Sequence, residues 1–580
     1  MKRWLPLALV LVVGGGALYL GQRRKVDAPA SAQAILNFIA GSQRELTRLP
    51  MGATRISDAE EIRVGQQLLR SYSQRYSGNG GREQADIQAY ISHVGSTVAA
   101  RTHRKLPYSF HYVPDPNFIN AFALPGGPVF IGQGLINLMD SEDELASVLG
   151  HEVEHIDHYH CAERVQVEAR TRRLGAVGEL MNLPIEVFEA GYSKDQELES
   201  DREGTRLAVL AGYSPTGALR LFETFDRLYE EHVRRARTPQ EEITSVALQT
   251  LSGYFRSHPP SAERAQQIRS LMAGERWPVH AERDLGIAYI LTTQRAANAY
   301  EQHRFAQTRK LAEMALRAQP DYLPALRLRA QAEEFEGDFA AAAKSWREVL
   351  DRQPIPEFMG AVEYAHSLAA AGDVAKGAEE YSSWLAASKF AGDGGLRACA
   401  AGLQLLAGRE APASELARQL RLNQVPDRDP DSLGALGWWY YRAGRYPQAV
   451  DLLSAAVEMR PGTPALHADL GWALLEQQKL ESAMDQFQRA RQTYGIIVYS
   501  AGGPEPPPEG SMGWAVALWQ AQRQDEAVRE FERIAKAEPE WTNARWVRGM
   551  FPARVAAVLA TMQQQANRLK RLPQRAATYP

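Results

Sequence analysis

The residues of this sequence that are best suited to chemistry lie between positions 151 and 160. The stretch reads HEVEHIDHYH, in which His151 and His155 are four residues apart and Glu152 directly follows the first histidine. On an α-helix, side chains four positions apart project from the same face, so both imidazoles could reach one metal ion. Neutral imidazoles bind zinc and leave a position open for water, whose pKa the metal lowers towards neutrality.

Glu152 is offset by one residue from the first histidine, which lets its carboxylate reach such a water without occupying a coordination position. There it could take the proton of the water and pass it to the leaving amine of a peptide bond. The alternative is a solvated helix that carries histidines by accident. We interpret the motif as a zinc-dependent peptidase site that holds one Zn²⁺ per chain.

A catalytic zinc site needs a third protein ligand. The extended motif that supplies a further histidine at fixed spacing does not continue here. His158 could be mistaken for a ligand, but we interpret both His158 and His160 as surface or packing histidines. Glu197 and Asp201 are better candidates, because they are four residues apart on a second predicted helix. One could complete the zinc shell and the other could orient a zinc-bound histidine, although an acidic solvated helix face would have the same sequence.

The elements that must position these residues are helices and a short β segment. Ser141 followed by Glu144 is a capping box, which predicts that the motif helix begins there. β-branched and aromatic residues near Tyr108–Ile131 predict strands before it. Pro128 cannot donate to a ladder and therefore predicts an edge strand. Such an edge could take an extended polypeptide as an added strand, although an ordinary hairpin remains possible.

From about residue 285 onward, helical segments recur at a fixed interval. Residues of similar character stand 34 positions apart in the pairs Gly437 and Gly471, Ala449 and Ala483, and Leu453 and Phe487. This period, with a small residue at the close helix contact, is typical of tetratricopeptide repeats. A further unit, marked by Ala527 and Phe531, is displaced by ten residues, and the displacement coincides with a loop rich in glycine and proline at 501–510.

The composition excludes several classes of function. A formal net charge of −3 gives no reason to expect nucleic acid as a partner. The two cysteines, Cys161 and Cys399, exclude a disulfide framework and a CxxC zinc site, so any metal must be bound through histidine and carboxylate. With 580 residues, the chain is long enough for two or three domains.

An apolar run at positions 4–20 is flanked by basic residues on both sides. As a helix it would span roughly 25 Å, slightly less than the bilayer core of about 30 Å. It could be a short signal anchor or a cleaved signal peptide. We expect a retained anchor in the membrane, with everything after it exported.

Three motifs together resemble one family. The chain carries HEVEH, then ELESD followed by AGYSP, and then HPPSAER at 258–264. Together these motifs look like those of the gluzincin metallopeptidases. Members of that family include the CAAX-prenyl endopeptidases and the periplasmic β-barrel assembly-enhancing protease of Gram-negative bacteria. This chain is more similar to the second of these members, because that protease also carries tetratricopeptide repeats after its catalytic domain. The resemblance covers about residues 45–275 by motif and the rest by architecture.

The resemblance implies roles for individual residues. Glu197 would be the third zinc ligand, Asp201 would be the partner that orients a zinc-bound histidine, and Glu199 would be a bystander. His258 would be a switch or a regulatory fourth ligand, whereas the alternative is a simple turn histidine.

Two residues depart from the family's usual pattern. Lys194 stands where arginine is usual, and Ser200 replaces the usual alanine. The first departure leaves the residue that stabilises the transition state unidentified, and the second exchanges one small residue for another.

We therefore expect an α+β, mainly α, zincin-type metalloprotease domain followed by an all-α tetratricopeptide-repeat solenoid. The expected boundaries are an N-terminal anchor or signal peptide at 1–26, the metallopeptidase domain at 27–280, the repeats at 281–565 and a basic tail at 566–580. The basic tail is expected to be solvated.

The expected function is cleavage of unfolded or misassembled envelope polypeptides, with the repeats recruiting substrate or a protein partner. The chain would be anchored on the periplasmic side of the bacterial inner membrane, or would be soluble in the periplasm if the N-terminal segment is a cleaved signal peptide. The alternative is a chaperone or adaptor whose repeats carry the function and whose peptidase site is latent.

Overall fold

The computed structural model describes residues 56–76, 80–171, 186–189, 191–235, 262–352, 358–387, 393–422, 429–501 and 510–571. The chain divides into two units, Met1–Ile287 and Ala288–Pro580. Within the described ranges, no helix combines the length and the apolar character needed to cross a bilayer. The apolar run at 4–20 and the predicted switch residue His258 both lie outside these ranges.

The first unit combines helices with a small sheet, as the helical motifs and the short β segment of the sequence predicted. Its helices are α1 (Asp58–Tyr76), α2 (Arg82–Ala99), α3 (Gln133–Ile136), α4 (Glu142–Asp157), α5 (His160–Thr171), α6 (Glu186–Glu189), α7 (Lys194–Leu210), α8 (Thr216–Arg235) and α9 (Ala262–Gly274). Its strands are β1 (Ser109–Val113), β2 (Ala121–Ala123) and β3 (Pro128–Gly132). The strands fall inside the segment in which aromatic and β-branched residues predicted them.

The three described strands are ordered β1-β3-β2, with β3 parallel to β1 and antiparallel to β2. The prediction that Pro128 marks an edge strand was therefore wrong, since Pro128 begins the central strand. A proline is tolerated as the first residue of a strand. The pairing continues around it without its N–H, because Leu124 N donates to the carbonyl of Pro128 at 2.8 Å and Ser109 N donates to the carbonyl of Gly127 at 3.1 Å. The edge strand that packs on α4 is β2.

Helix α4 begins where the capping box predicted. Glu144 N donates to Ser141 Oγ at 3.1 Å, and Ser141 N donates to Glu144 Oε2 at 2.9 Å. The buried carboxylate of Asp143 accepts the backbone N–H groups of Ser214 and Arg283 at 2.5 and 2.7 Å. Every residue of α4 from Asp143 to its end is buried. These contacts make α4 the central helix of the first unit and fix its first turn.

Two glycines allow α4 and α7 to cross with their backbones in contact. A Cβ atom at Gly150 would lie 2.5 Å from the carbonyl oxygen of Gly204, and one at Gly204 would lie 2.6 Å from the backbone nitrogen of His151. Such distances leave no room for any side chain. Gly150 directly precedes His151, and Gly204 lies about one turn after Asp201. The crossing therefore brings together the two helix faces that carry the candidate metal ligands.

The second unit is a series of helix pairs followed by a C-terminal segment. The pairs are α10 (Ala288–Glu301) with α11 (Phe305–Ala318), α12 (Leu323–Phe335) with α13 (Phe339–Asp351), α14 (Phe358–Ala371) with α15 (Val374–Ala386), α16 (Gly394–Leu406) with α17 (Glu410–Leu422), α18 (Pro430–Arg442) with α19 (Tyr446–Met459), α20 (Pro464–Glu476) with α21 (Leu480–Ala501), and α22 (Ser511–Gln520) with α23 (Gln524–Ala537). A 3₁₀ turn (Pro539–Thr542), α24 (Ala544–Met550) and α25 (Ala553–Arg571) follow.

The small residue predicted at the close helix contact is visible inside two of the pairs. A Cβ atom at Gly437 of α18 would meet Leu453 of α19 at 2.6 Å, and one at Gly471 of α20 would meet Phe487 of α21 at 2.6 Å. Both large residues are fully buried. The first helices from α10 to α20 start 34 to 36 residues apart, which confirms the repeat period. Of the loop predicted at 501–510, Ala501 belongs to α21, and residues 502–509 lie outside the described residues.

The crossing of α4 and α7 generates a prediction. Gly204→Ala introduces a methyl group where the backbone of α4 already lies, so we expect a loss of about 1–3 kcal/mol in the free energy of unfolding. Denaturant unfolding followed by circular dichroism measures it. Gly274→Ala is the matched control, because a Cβ atom at Gly274 meets nothing within 4 Å. Equal stability of the two variants would contradict a tight crossing.

Candidate metal centre

Three side chains with metal-ligating atoms meet where α4 and α7 cross. The Nε2 atoms of His151 and His155 lie 3.1 Å apart. Glu197 places Oε2 3.5 Å from His151 Nε2 and Oε1 3.6 Å from His155 Nε2. All three residues are buried, with 7%, 0% and 3% of their surfaces exposed. The sequence-predicted ligands therefore converge on one point inside the first unit.

This donor set fits a zinc ion. Zinc binds imidazole nitrogen and carboxylate oxygen at about 2.0–2.2 Å, which places tetrahedrally arranged donors roughly 3.3 Å from one another. The separations of 3.1 to 3.6 Å match that spacing. Two imidazoles and one carboxylate are also a set that leaves a fourth position open for water or substrate. His151, His155 and Glu197 are thus the residues that would hold the metal.

Asp201 and Arg264 orient the first histidine. Asp201 Oδ1 lies 2.9 Å from His151 Nδ1, so the Nδ1–H of His151 can donate to it and leave Nε2 directed at Glu197. Arg264 in turn donates from Nε and Nη2 to the two carboxylate oxygens of Asp201, at 2.6 and 2.7 Å. A bidentate pair of this kind holds a carboxylate in one orientation. The sequence predicted the orienting role of Asp201 and missed Arg264, the last residue of the HPPSAER motif.

A second group of residues surrounds His155. His160 Nδ1 lies 3.1 Å from His155 Nδ1, and Ser200 Oγ lies 3.3 Å from the same atom. His160 Nε2 in turn lies 3.2 Å from Glu199 Oε2. The ring of Tyr192 stacks on His155 with centroids 3.8 Å apart. His160 and Ser200 therefore contact a predicted metal ligand and restrict its ring, which the sequence interpretation of both residues missed.

The electrostatics of the centre favour a cation. Burial opposes the charged form of His151, but hydrogen bonds to Asp201 and Glu197 raise its pKa to about 10. Burial also opposes the charge of Asp201, yet the adjacent Arg264 and His151 lower the pKa of that carboxyl. Two carboxylates that attract a proton to this imidazole attract a divalent cation for the same reason, and the cation takes the place of the proton.

Of the other residues named in the sequence analysis, Glu152 lies next to a ligand, whereas Lys194 and His158 lie outside the ligand group. Glu152 follows His151 on α4 and is 1% exposed. Lys194 is exposed and forms an ion pair with Glu263 at 2.5 Å, so it lies on the surface rather than at the ligands. His158 is paired with Glu154 and does not join the ligand group.

The acidic and histidine side chains at the end of α4 form a second, less suitable group. Glu154, Asp157 and His158 also bring potential ligand atoms together. The carboxylate of Asp157, however, accepts the backbone N–H groups of His103 and Arg104 at 3.0 and 2.7 Å. Asp157 therefore fixes the loop before β1, and the group is accounted for by ion pairing and capping.

The matches to known families follow the two units. Residues 82–272 match the family described as Peptidase family M48, and residues 435–495 match a tetratricopeptide repeat family. The first match contains every described residue of the centre, from His151 to Arg264. The second match lies on α18 to α21.

Several relatives are similar to part of this chain. A putative beta-barrel assembly-enhancing protease of Vibrio cholerae is 31% identical over 178 residues, which make up 27% of this chain and 36% of the relative. Metalloprotease LoiP of Escherichia coli is 30% identical over 170 residues, or 27% of this chain and 60% of that protein. The beta-barrel assembly-enhancing protease of Escherichia coli is 21% identical over 270 residues, or 40% of this chain and 55% of that protein. The chain thus spans less than two thirds of each of these relatives.

The contact between Arg264 and Asp201 generates a prediction about metal affinity. Arg264→Lys keeps the charge but loses the bidentate geometry, so we expect zinc to bind about 10- to 100-fold more weakly. Competition with a chromogenic chelator measures the affinity. Arg269→Lys is the matched control on the same helix, since Arg269 points away from the ligands and donates to the exposed Glu223 at 3.4 Å. An unchanged zinc affinity in Arg264→Lys would contradict the orienting role of the pair.

Proposed function

The chain carries a peptidase family M48 domain followed by tetratricopeptide repeats, and on that basis we propose that it is a zinc-dependent endopeptidase. The observation that carries the proposal is the convergence of His151, His155 and Glu197, whose Nε2 and carboxylate oxygen atoms lie 3.1 to 3.6 Å from one another. Glu152 stands beside this ligand set on the same helix. The assignment of zinc and of each residue's role belongs to the proposal.

The chemistry follows from the positions of the side chains. A zinc ion held by this ligand set would lower the pKa of a water molecule and polarise the carbonyl of a peptide bond. The carboxylate of Glu152 takes the proton from the attacking water and gives it to the leaving amide nitrogen. Asp201 keeps His151 in the tautomer with a proton on Nδ1, and Arg264 keeps Asp201 in place. His160 and Ser200 do the same for His155.

A polypeptide substrate fits the edge of the sheet. Gly132 N donates to Asn120 O, and Leu124 N donates to Pro128 O. Along an antiparallel strand such bonds alternate, so the backbone groups of Ala121 and Ala123 face away from β3. An extended substrate could pair with these groups and be held by its main chain, with little demand on its side chains.

This edge is covered in the present structure. Ala121, Phe122 and Ala123 are at most 2% exposed. Helix α6 packs on β2, and its residues Val187 and Phe188 share a hydrophobic cluster with Phe122. On the other side of this edge, Cys161 Sγ of α5 donates to the carbonyl of Ala123 at 3.7 Å. Substrate addition therefore requires both α5 and α6 to move away from β2, which supports a peptidase whose activity is restrained in this conformation.

The place of action is part of the same proposal. Two of the relatives are named beta-barrel assembly-enhancing proteases, and the sequence begins with an apolar run flanked by basic residues. We extend this to quality control of misassembled envelope proteins on the periplasmic side of the inner membrane. The repeats would recruit the substrate or a protein partner, since repeat arrays present extended binding surfaces.

The catalytic proposal predicts the behaviour of one conservative variant. Glu152→Gln removes the proton acceptor and keeps the ligands, so cleavage of an unfolded model substrate should fall about 10²- to 10⁴-fold. Bound zinc should stay near one equivalent per chain. Fluorescence of a quenched casein substrate and metal analysis by mass spectrometry measure the two quantities.

Glu154→Gln is the matched control, because Glu154 lies on the same helix but pairs with His158 outside the ligand set. It should retain most of the activity. Unchanged cleavage in Glu152→Gln would contradict the catalytic assignment. If wild type and both variants all bind zinc and none cleaves, the site is latent and the adaptor alternative, in which the repeats carry the function, would replace the proposal.

His258 is proposed as a brake on the same site. Removal of a fourth ligand would open the coordination position for water, so His258→Ala should raise the basal rate of cleavage or self-cleavage. The rate is measured with the same substrate at saturating zinc. A fall in activity without loss of zinc would point instead to a catalytic role of His258.

A further inference from the structure

The C-terminal segment Pro539–Phe551 folds back onto the first helices of earlier repeats. Its Asn543 Nδ2 donates to the carbonyl of Phe335, at the end of α12, at 2.9 Å. Phe551 lies 5.8 Å from Trp438 of α18 and 5.1 Å from Trp472 of α20, measured between ring centroids. Helix α24 also packs on α14. The segment therefore lies against α12, α14, α18 and α20, and we call the surface that it contacts there the inner face of the repeats.

The segment is held by aromatic side chains at regular spacing. Trp541, Trp546 and Phe551 are five residues apart, and their ring centroids lie 5.1 to 6.2 Å from one another. Trp546 also lies 5.8 Å from Phe335. A Cβ atom at Gly549 would lie 2.1 Å from the ring of Phe339. The inner face of the repeats therefore accommodates this segment closely.

A contact between side chains and a hydrogen bond to the backbone hold the two ends of the segment. His303, in the turn after α10, lies 3.1 Å from the carboxylate of Glu540. At the other end, Arg442 of α18 donates from Nη2 to the carbonyl of Gly549. The occupant is thus recognised by main-chain and side-chain polar groups in addition to its aromatic rings.

The covered face also contains titratable groups whose burial costs stability. Arg442 is half-buried, its Nη1 atom has no acceptor among the described residues, and burial lowers its pKa to about 10. Burial, together with the nearby Glu363, raises the pKa of Glu334 well above its ordinary value. A packed core gains nothing from such groups, because an incompletely paired buried charge is destabilising. Their presence is expected of a face that binds polypeptide when it is uncovered.

We propose that Pro539–Phe551 is a built-in ligand of the repeats, which occupies their inner face and must be released before a partner polypeptide with similarly spaced aromatic side chains can bind there. This inference rests on the protein-binding role proposed for the repeats and is independent of the peptidase site. Only the molecules whose inner face is open can bind such a partner. Because this fraction is small, the apparent affinity of the protein for the partner is lowered in proportion to it.

The test uses the full-length chain and a fluorescent peptide of residues 538–552 as the probe, with binding followed by anisotropy. Wild type should bind the probe weakly, because its own segment occupies the face. Glu540→Gln and Asn543→Ala each weaken the attachment of the segment and should lower the apparent Kd for the probe about tenfold. A probe with alanine in place of Trp541, Trp546 and Phe551 should not bind any of these proteins.

Asp393→Ala is the matched control for the loss of a helix cap. Asp393 caps α16 through a bond from Leu396 N at 2.8 Å, just as Asn543 caps α24. If Asn543→Ala and Asp393→Ala lower the melting temperature alike and neither variant binds the probe more tightly than wild type, the segment is an ordinary part of the core and the proposal is overturned. Tight binding of the probe to wild type, with the same Kd as to the Glu540→Gln and Asn543→Ala variants, would also overturn it.

The peptidase assay on the same variants separates this inference from the proposed function. Tighter probe binding without any cleavage would support the built-in ligand even if the peptidase proposal failed. Cleavage that persists while no variant gains affinity for the probe would leave the peptidase proposal standing and contradict the built-in ligand.

Discussion

The candidate metal centre depends on the direct backbone contact between α4 and α7 at Gly150 and Gly204. Neither position has room for a side chain, so the two helices approach more closely than packed side chains would allow. Only at this distance can a carboxylate of α7 lie within 3.6 Å of the imidazoles of α4. The buried first turn of α4, fixed by its capping box and by Asp143, sets the direction from which the histidines enter.

Charge explains why the ligands are held so firmly. The centre buries two histidines, two carboxylates and the guanidinium of Arg264 within one contact network. Such burial is unfavourable unless each charge meets a partner of opposite sign in good geometry. The bidentate contact of Arg264 with Asp201 provides this, and a divalent cation between the histidines and Glu197 would complete it. A site arranged in this way gives up folding stability to fix the orientation of its donors.

Local patterns in the sequence predicted much of this structure. A four-residue spacing predicted that His151 and His155 share one face and that Glu197 and Asp201 share another, and a capping box predicted the start of α4. The period of 34 residues predicted the helix pairs of the second unit. Most of the features that were missed depend on contacts between residues far apart in the sequence: the glycine crossing, the contact of Ser200 with His155, and the position of Arg264. Pro128 was misassigned because a proline at the first position of a central strand has the same local sequence as one on an edge. The return of Pro539–Phe551 to the inner face was missed because a five-residue spacing of aromatic residues does not reveal which surface the rings contact.

The proposed metal centre requires His151, His155 and Glu197 to hold one zinc ion together. Anomalous X-ray diffraction at the zinc absorption edge, from crystals of the zinc-loaded chain, locates the ion. We expect one strong peak per chain, within about 2.2 Å of both Nε2 atoms and of a Glu197 carboxylate oxygen. A main peak at Glu154, Asp157 and His158, or no peak between α4 and α7, would contradict it.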